Sequence, residues 1–300
     1  MSTYHTPVML QECIEALNIK PNGTYVDVTF GGGGHSREIM KHLGEGGQLL
    51  AFDQDADAQQ NKIDDERFTF IDQNFRYLKN FARLHGALPV DGILADLGVS
   101  SYQFDQAERG FSIRFDAELD MRMNQASELS AKEVVNTYSE ADLHRIFGMY
   151  GEIQNAKSLA NTIVTARLNG PIVTVADLKN AISNRIPKGK ENKYLAQVFQ
   201  ALRIEVNQEL EALKDFLTQT ADVLAVGGRL VVMSYHSLED RLVKNFIAKG
   251  KFSGEVEKDF YGNDNKPFDA VSRGAITASA EEIVNNNRAR SAKLRIAVKK

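Results

Sequence analysis

Three aspartates lie in or at the ends of strand-like runs, and four consecutive glycines follow the first of them. Asp27 lies within TYVDVTF, Asp53 ends QLLAFD and Asp96 lies near the end of DGILADLG. Glycine has no Cβ, so residues 31–34 offer a bare backbone that can adopt positive φ or approach a ligand closely. A carboxylate such as Asp53, nineteen residues after Gly34, can accept hydrogen bonds from ribose hydroxyls. The pattern predicts a nucleotide-like ligand; a plain turn and a solvated carboxylate are the structural alternatives.

Two ligand classes use a glycine-rich turn of this kind. A dinucleotide fingerprint requires G-x-G-x-x-G, and counted from Gly31 the third glycine would fall on Ser36, so the match fails. S-adenosylmethionine has no pyrophosphate and requires mainly close backbone approach. Its sulfonium is positively charged, which nearby carboxylates such as Asp27 and Asp96 favour electrostatically. The sequence therefore favours S-adenosylmethionine as the cofactor.

Strand-like runs alternate with helical patterns in both end regions of the chain. The runs occupy residues 24–30, 48–53, 68–72, 91–98, 227–234 and 292–298. Strands that alternate with helices at this spacing predict βαβ units and a parallel, doubly wound α/β sheet. Because ligands bind at the carboxyl edge of such sheets, the aspartates and glycines are expected to meet there.

The strand pattern stops for about ninety residues in the middle of the chain. Ser130, Ser139 and Thr174 each precede an acidic residue by three positions, which is typical of a capping box at a helix start. The prediction is an all-helical insertion at 107–206, within a discontinuous sheet domain formed by 1–106 and 207–300.

Composition narrows the class of protein. The 300 residues carry a net charge of −4 and a sequence pI of about 5.9, which argues against strong non-specific binding to nucleic acid. The one cysteine, Cys13, excludes an internal disulfide and fits a reducing cytoplasm. No signal peptide, membrane span or metal-ligand spacing among the six histidines is recognisable. The expectation is a cytoplasmic protein without a metal.

The chain resembles the RsmH (MraW) family of bacterial methyltransferases in blocks that follow one another along nearly its whole length. These blocks are HTPVM at His5, DVTFGGGGHS at Asp27, DLGVSSYQFDQAERGFS at Asp96, LDMRMN at Leu119, FQALRIEVNQEL at Phe199, GGRLVVMSYHSLEDR at Gly227 and NNNRARSAKLR at Asn285. The resemblance implies a Rossmann-like class I methyltransferase that uses S-adenosylmethionine to modify the 4-amino group of a decoding-site cytidine in 16S ribosomal RNA.

The resemblance also implies which residues contact the methyl donor. They are Gly33, Gly34, His35, Asp53, Phe75, Asp96 and Gln103. Asp53 is expected on the ribose and Phe75 against the adenine. A lone phenylalanine is otherwise a core residue, and a histidine at a helix start otherwise caps backbone groups.

The acceptor nitrogen must be held near the methyl group and must lose a proton. Asp96, Ser234 and His236 lie at strand ends that meet at one sheet edge, and they are the candidate catalytic residues. Tyr235 is expected to stack on the flipped base. The alternative is that SYHSLEDR forms a packed strand-to-helix corner, with Ser237 and Glu239 as helix-start residues.

Two basic clusters are the candidate RNA contacts. They comprise Arg288, Arg290 and Lys293 near the C-terminus, and Lys188, Lys190 and Lys193 in the helical insertion. The small ribosomal subunit or its RNA is the expected partner. A solvated surface charge is the alternative for each residue, and the oligomeric state stays open.

Other functions are less consistent with the sequence. A DNA amino-methyltransferase typically has a D/N/S-P-P-Y/F motif, and DLGVSS stands at the corresponding strand end. A ribosome-assembly factor that binds the donor only as a folding ligand stays open, as does another nucleic-acid amino group as the acceptor. Asp96→Ala distinguishes catalysis from assembly, because it should abolish methylation and leave an assembly function intact.

Overall fold

The structure is a computed structural model that describes residues 7–100, 103–104 and 106–300. Of the motifs quoted above, positions 5, 6, 101, 102 and 105 lie outside the described residues. The chain divides into two compact units. The first comprises the chain up to Gly98 together with Leu210–Lys300, and the second comprises Val99–Glu209.

The first unit is built on a seven-stranded sheet of described residues. Its strands are β1 (Thr24–Asp27), β2 (Gln48–Phe52), β3 (Phe68–Ile71), β4 (Val90–Asp96), β5 (Leu224–Ser234), β6 (Phe268–Ala270) and β7 (Lys293–Lys299). The spatial order is β3-β2-β1-β4-β5-β7-β6, with β1 to β5 parallel and β7 antiparallel to both neighbours. The order reverses between β1 and β4, which confirms the predicted Rossmann-like, doubly wound α/β fold.

Helices of the first unit cover both faces of the sheet. In chain order the described helices of both units are α1 (Leu10–Leu17), α2 (Gly34–His42), α3 (Leu78–Leu84), α4 (Ala131–Thr137), α5 (Glu140–Met149), α6 (Ala156–Ala166), α7 (Val175–Ile182), α8 (Glu191–Asn207), α9 (Glu209–Val223), α10 (Ser237–Lys249) and α11 (Ala280–Asn285). Val26 and Leu50 pack with α3, α9 and α10, whereas Tyr25 and Leu49 pack with α1 and α2. Successive residues of a strand point to opposite faces, so these apolar runs bury both sides.

Several strand ends differ from the sequence prediction, since β4 ends at Asp96 rather than at residue 98 and β5 begins at Leu224 rather than at residue 227. β1 ends at Asp27 rather than at residue 30, because the Asp27 carboxylate accepts a hydrogen bond from the backbone N–H of Thr29 at 3.0 Å and turns the chain. The start of α1 is set by the backbone conformation of one residue. Met9 adopts a left-handed conformation with φ of 48°, so the helix begins only at Leu10.

The second unit has a helical core of its own. Val134, Phe147, Leu159, Leu178 and Leu202 come from α4, α5, α6, α7 and α8, and they belong to one buried apolar cluster. Each of these helices buries the face that carries its apolar residues at 3.6-residue spacing. No helix in the described part of the chain is long and apolar enough to cross a membrane.

The predicted helix starts of this unit are confirmed. Ser130 and Thr174 each accept a hydrogen bond from the backbone N–H three residues later, and the acidic side chain there accepts one from the backbone N–H of the cap residue. Ser139 accepts in the same way from the N–H of Asp142. These side chains satisfy backbone donors that have no partner within the helix.

Candidate ligand site at the carboxyl edge of the sheet

The candidate site lies where the strand order reverses. Asp27 ends β1 and Asp96 ends the neighbouring β4, so both carboxylates reach the same sheet edge. Thr29 connects the two strand ends, because its Oγ1 accepts a hydrogen bond of 2.7 Å from the Asp96 N–H. The second Asp27 oxygen accepts a bond of 2.7 Å from the Ser36 hydroxyl of α2. Asp27 therefore holds together the turn that carries the glycines.

The glycine loop, residues 31–34, is fixed by side chains from outside it. Gly31 and Gly33 have φ of 49° and 75°, a region that favours glycine. Arg37 donates to the Gly32 carbonyl at 2.5 Å, and Asn61 donates to the Gly31 carbonyl at 3.1 Å. These bonds preorganise the loop.

The lack of side chains in this loop has a different reason at each position. A Cβ on Gly34 would lie 2.2 Å from Cγ of Pro7, so Gly34 is bare to make room for that ring. A Cβ on Gly33 would lie 2.9 Å from Cζ of Phe30. Gly32 is exposed, and a Cβ there would meet nothing within 4 Å. Gly32, which the sequence reasoning did not single out, is thus the loop position most open to a ligand.

His35 lies in the first turn of α2 and is buried. Its Nε2 is 3.1 Å from the carbonyl oxygen of Val8, which can only accept a hydrogen bond. Nε2 therefore carries a proton and donates to that carbonyl, and Nδ1 lies 3.9 Å from Oδ2 of Asp96.

Asp96 is half-buried and faces three groups of the first unit. The Tyr235 hydroxyl donates to its Oδ1 at 2.7 Å, His35 lies near Oδ2 and Thr29 holds its backbone. Burial raises the pKa of Asp96 to about 6, against the opposing influence of His35 and the Tyr235 hydrogen bond. The structure thus brings Asp96, His35 and Tyr235 together.

Asp53 follows directly after β2 and contacts the glycine loop. Its Oδ2 accepts from the Gly31 N–H at 2.7 Å and its Oδ1 from the Asp55 N–H at 2.9 Å. Burial raises the pKa of Asp53 to about 6, although both backbone hydrogen bonds oppose that rise. Each oxygen keeps a second lone pair that can accept from a hydroxyl.

Phe75 opens a short 3₁₀ turn after β3 and is half-buried. Its ring packs edge-on against Phe216 of α9 with centroids 5.5 Å apart. Asn74 just before it caps the turn and donates to Gln54 at 2.8 Å, which connects the chain after β3 with the chain after β2. Phe75 thus combines a core contact with a place at the sheet edge.

Ser234 and His236 are held by structural contacts. Ser234 is buried, and its hydroxyl lies 3.5 Å from the carbonyl of Lys293 on the neighbouring β7. His236 is the N-cap of α10, with Nδ1 accepting from the Glu239 N–H at 3.5 Å and Nε2 lying 3.2 Å from the Glu239 carboxylate. The cap is therefore His236 rather than Ser237.

The predicted donor contact Gln103 lies in the second unit. It is buried, and its Oε1 accepts a hydrogen bond of 3.1 Å from the backbone N–H of Ser100. In return its backbone N–H donates to the Ser100 hydroxyl at 3.2 Å.

The basic candidates differ in their surroundings. Lys188, Lys190 and Lys193 are all exposed, at the start of α8 in the second unit. Lys293 lies 3.4 Å from Asp240, and that carboxylate also accepts a bond of 2.6 Å from Arg295.

The other two basic candidates belong to the 3₁₀ turn Asn287–Ser291. Arg290 is exposed and Arg288 is half-buried.

Sequence reasoning did not find Thr29, Ser36, Arg37 and Asn61. Thr29 and Ser36 follow Asp27 by two and nine residues, so a search for hydroxyls around the strand-end carboxylate would have suggested them. Arg37 and Asn61 act on the glycine loop through its carbonyls, and no sequence pattern identifies such contacts.

The sheet order and the glycine loop after β1 define a Rossmann-like α/β protein, a fold in which ligands generally bind where the strand order reverses. A model of the MraW methylase family matches residues 2–300, and the chain belongs to this family.

Relatives of similar length support this assignment. The chain is 60% identical over 296 residues to the ribosomal RNA small subunit methyltransferase H of Christiangramia forsetii, which covers 99% of this chain and 98% of the relative. The enzyme of the same name from Cytophaga hutchinsonii is 61% identical, with 98% of this chain and 99% of the relative covered. That from Bacteroides fragilis is 56% identical, with 100% and 98% covered.

Proposed function

We propose that this protein transfers a methyl group from S-adenosylmethionine to the 4-amino group of a decoding-site cytidine in 16S ribosomal RNA. Membership of a methylase family and the names of relatives at 56–61% identity support this reaction. The small ribosomal subunit or its RNA is then the partner, and the cytoplasm is where the reaction takes place.

The residues at the sheet edge fit such a donor. Gly32 leaves open space beside a preorganised loop, and the half-buried carboxylates of Asp53 and Asp96 favour hydroxyl donors and positive charge nearby. Asp53 would hold the ribose, Phe75 the adenine, and the backbone of Gly33 and Gly34 the remainder. His35 and Asp96 would complete the part of the site that the first unit forms. When bound, the donor supplies an electrophilic methyl group on a positively charged sulfur.

Asp96 is the residue we assign to accept the proton of the acceptor amine. This assignment rests on the Asp96 carboxylate, which lies where the strand order reverses, is partly accessible and has a pKa raised to about 6. Ser234 and His236 are less suited to this role. The Ser234 hydroxyl is buried against β7, and the His236 ring caps α10. A carboxylate that ionises near pH 6 is a base at neutral pH and a better proton acceptor than an ordinary aspartate.

The helical unit is proposed to bind RNA through the three exposed lysines at the start of α8. Lys188, Lys190 and Lys193 stand close together in the chain with Glu191 as the only acidic residue among them. Lys293 is less suited to phosphate contact, since Asp240 lies beside its ammonium group. Arg288 and Arg290 remain candidates on the sheet unit.

The test is methyl transfer from labelled S-adenosylmethionine to small subunits from a strain that lacks this gene, with the modified nucleoside identified by mass. Methyl on the 4-amino group of one cytidine is the expected result. Asp96→Asn should lower kcat by about 100-fold or more, the range for loss of an acid–base group. Asp91→Asn is the matched control, because Asp91 lies at the other end of β4 and bonds Lys20 and Thr24.

Donor binding by calorimetry separates the alternatives. Clear binding without transfer to subunits or to naked RNA would contradict the proposed substrate and favour an assembly factor. Equal transfer by the Asp96 and Asp91 variants would contradict the role of Asp96.

A further inference from the structure

The phenol of Tyr235 connects the ends of two neighbouring strands. Asp96 pairs with Met233 in the β4–β5 register, and the chain runs on through Ser234 to Tyr235. From there the Tyr235 hydroxyl donates to Oδ1 of Asp96 at 2.7 Å, although the two residues are 139 positions apart. One edge of the ring faces Gly98, where an added Cβ would lie 3.4 Å from Cδ2.

The main chain of Tyr235 is itself fixed. The buried Glu239 carboxylate accepts from the backbone N–H of Tyr235 at 3.0 Å and from that of His236 at 3.4 Å. The same residue closes the capping box of α10. Because the backbone cannot shift without losing these bonds, the phenol is preorganised toward Asp96.

The two oxygens of the Asp96 carboxylate have different surroundings. Within the described residues, the Asp96 carboxylate accepts one hydrogen bond, which the Tyr235 hydroxyl donates to Oδ1. Oδ2 lies 3.9 Å from Nδ1 of His35, which is longer than a hydrogen bond. Oδ2 therefore keeps its lone pairs for an incoming proton, while 24% of the side chain stays accessible.

We propose that Tyr235 is a positioning residue that occupies Oδ1 of Asp96 and so directs Oδ2 toward the acceptor amine. This inference rests on the proposed function. In the reaction the bond from nitrogen to the methyl carbon forms as the carbon–sulfur bond breaks, and its electron pair passes to sulfur. The proton that the amine then loses goes to Oδ2. A hydrogen bond to one oxygen fixes the rotation of the carboxylate, which is the orientation that proton transfer requires.

The contact also predicts a pH effect. The titratable groups that interact with Asp96 are Tyr235, His35, Asp27, Glu239 and Cys13. Tyr235 and His35 favour the ionised carboxylate, whereas Asp27 and Glu239 oppose it. Removing the hydroxyl alone therefore leaves a carboxylate that is harder to ionise, and the acidic limb of the rate profile moves to higher pH.

The test compares Tyr235→Phe with Tyr25→Phe. Tyr25 is a buried tyrosine of β1 whose hydroxyl accepts from the Lys20 N–H at 2.7 Å, so the control also removes one hydroxyl and one hydrogen bond from the same sheet. Tyr235→Phe should lower kcat about tenfold, the usual effect of losing a hydrogen bond to a charged group. It should also raise the midpoint of the acidic limb. The carboxyl titration of Asp96 in the free protein, followed by carbon-13 NMR, should shift in the same direction. Tyr25→Phe should change neither quantity.

The outcomes separate this inference from the proposed function. If the wild-type protein transfers methyl and Tyr235→Phe keeps its kcat and both midpoints, the positioning role is overturned while the function stands. If Tyr235→Phe is normal and only Tyr235→Ala fails, the ring stacks on the base and the positioning role is again overturned. If the wild-type protein transfers no methyl to any cytidine, the proposed function fails and the inference fails with it.

Discussion

At the scale of single residues, the site is a set of carboxylates, one buried and two half-buried, that accept hydrogen bonds from backbone N–H groups and hydroxyls. Both oxygens of Asp27 accept hydrogen bonds, one from the Thr29 N–H and one from the Ser36 hydroxyl, and these bonds hold the turn that carries the glycine loop. Asp53 and Asp96 instead have pKa values raised to about 6, since burial outweighs their hydrogen bonds. Groups that are costly to ionise in the free protein are those that a ligand with hydroxyls or positive charge stabilises best.

Gly32→Ala tests close approach of the donor. Gly32 has open space around its missing Cβ and no positive φ, so alanine should fold normally and yet project a methyl group toward the ligand. Donor binding should weaken about tenfold or more, as expected for overpacking a close contact. Gly274→Ala is the matched control, because Gly274 is also exposed and has nothing within 4 Å. Equal donor affinity of both variants in calorimetry would place the ligand away from Gly32.

The raised pKa of Asp53 predicts that this residue contributes to the free energy of unfolding in a pH-dependent way. Its pKa in the folded protein is about 6, above the ordinary value of 3.8, so the folded state binds more protons than the unfolded state between these values. Its contribution is therefore fully present below about pH 4 and is lost as the pH rises through about 6.

Urea unfolding of the wild type and of Asp53→Asn checks this sign. Between pH 4.5 and pH 7 the free energy of unfolding of the wild type should fall relative to that of the variant. A difference that is independent of pH would contradict the raised pKa of Asp53.

At the scale of elements, the N-terminal cap of α10 fixes the position of side chains near the candidate site. His236 caps α10, and the Glu239 carboxylate accepts hydrogen bonds from the backbone N–H groups of Tyr235 and His236. These contacts account for the position of His236 without a contact to the base.

The capping role predicts how His236 responds to substitution. His236→Asn should keep kcat and stability, because asparagine is a preferred N-cap. His236→Ala should lower the free energy of unfolding by about 1 kcal/mol, the usual cost of a lost cap. Methyl transfer and urea unfolding measure both effects. A folded Asn variant without transfer would show that the imidazole contacts the base.

The strands could be predicted from the sequence, but their ends and the contacts between them could not. Runs rich in β-branched and apolar residues identified β1 to β5 and β7, since burial on both faces leaves that pattern. The end of β1 depends on one side-chain bond from Asp27 to Thr29, and the start of α1 on the left-handed Met9. The Tyr235–Asp96 bond depends on the register of two strands far apart in sequence, which no local pattern specifies.

At the scale of the whole molecule, the chain has a net charge of −4 and yet contains local clusters of basic residues. The lysines at the start of α8 are exposed, whereas Lys293 and Arg295 lie against Asp240. A protein that recognises one folded RNA site requires a local basic surface rather than a basic composition.

Replacing Lys188, Lys190 and Lys193 with glutamine should raise KM for the subunit and leave kcat unchanged. Loss of up to three phosphate contacts should also reduce the slope of log affinity against log salt by about 0.7–0.9 for each contact. The control replaces three other exposed lysines, Lys41, Lys244 and Lys258, with the same change in charge. An equal rise of KM in both triple variants would show that net charge, and not this cluster, attracts the RNA.

The insertion between β4 and β5 has a consequence for how the chain folds. The sheet's central pairing joins segments that lie far apart along the chain, as the separation of 139 residues between Asp96 and Tyr235 shows. Closing so long a loop carries an entropic cost and slows folding. Val99–Glu209 forms a compact unit with its own core, and its early collapse would shorten the loop that the sheet must close. Core substitutions in the helical unit, such as Phe147→Leu, should therefore also delay the formation of the β4–β5 pairing.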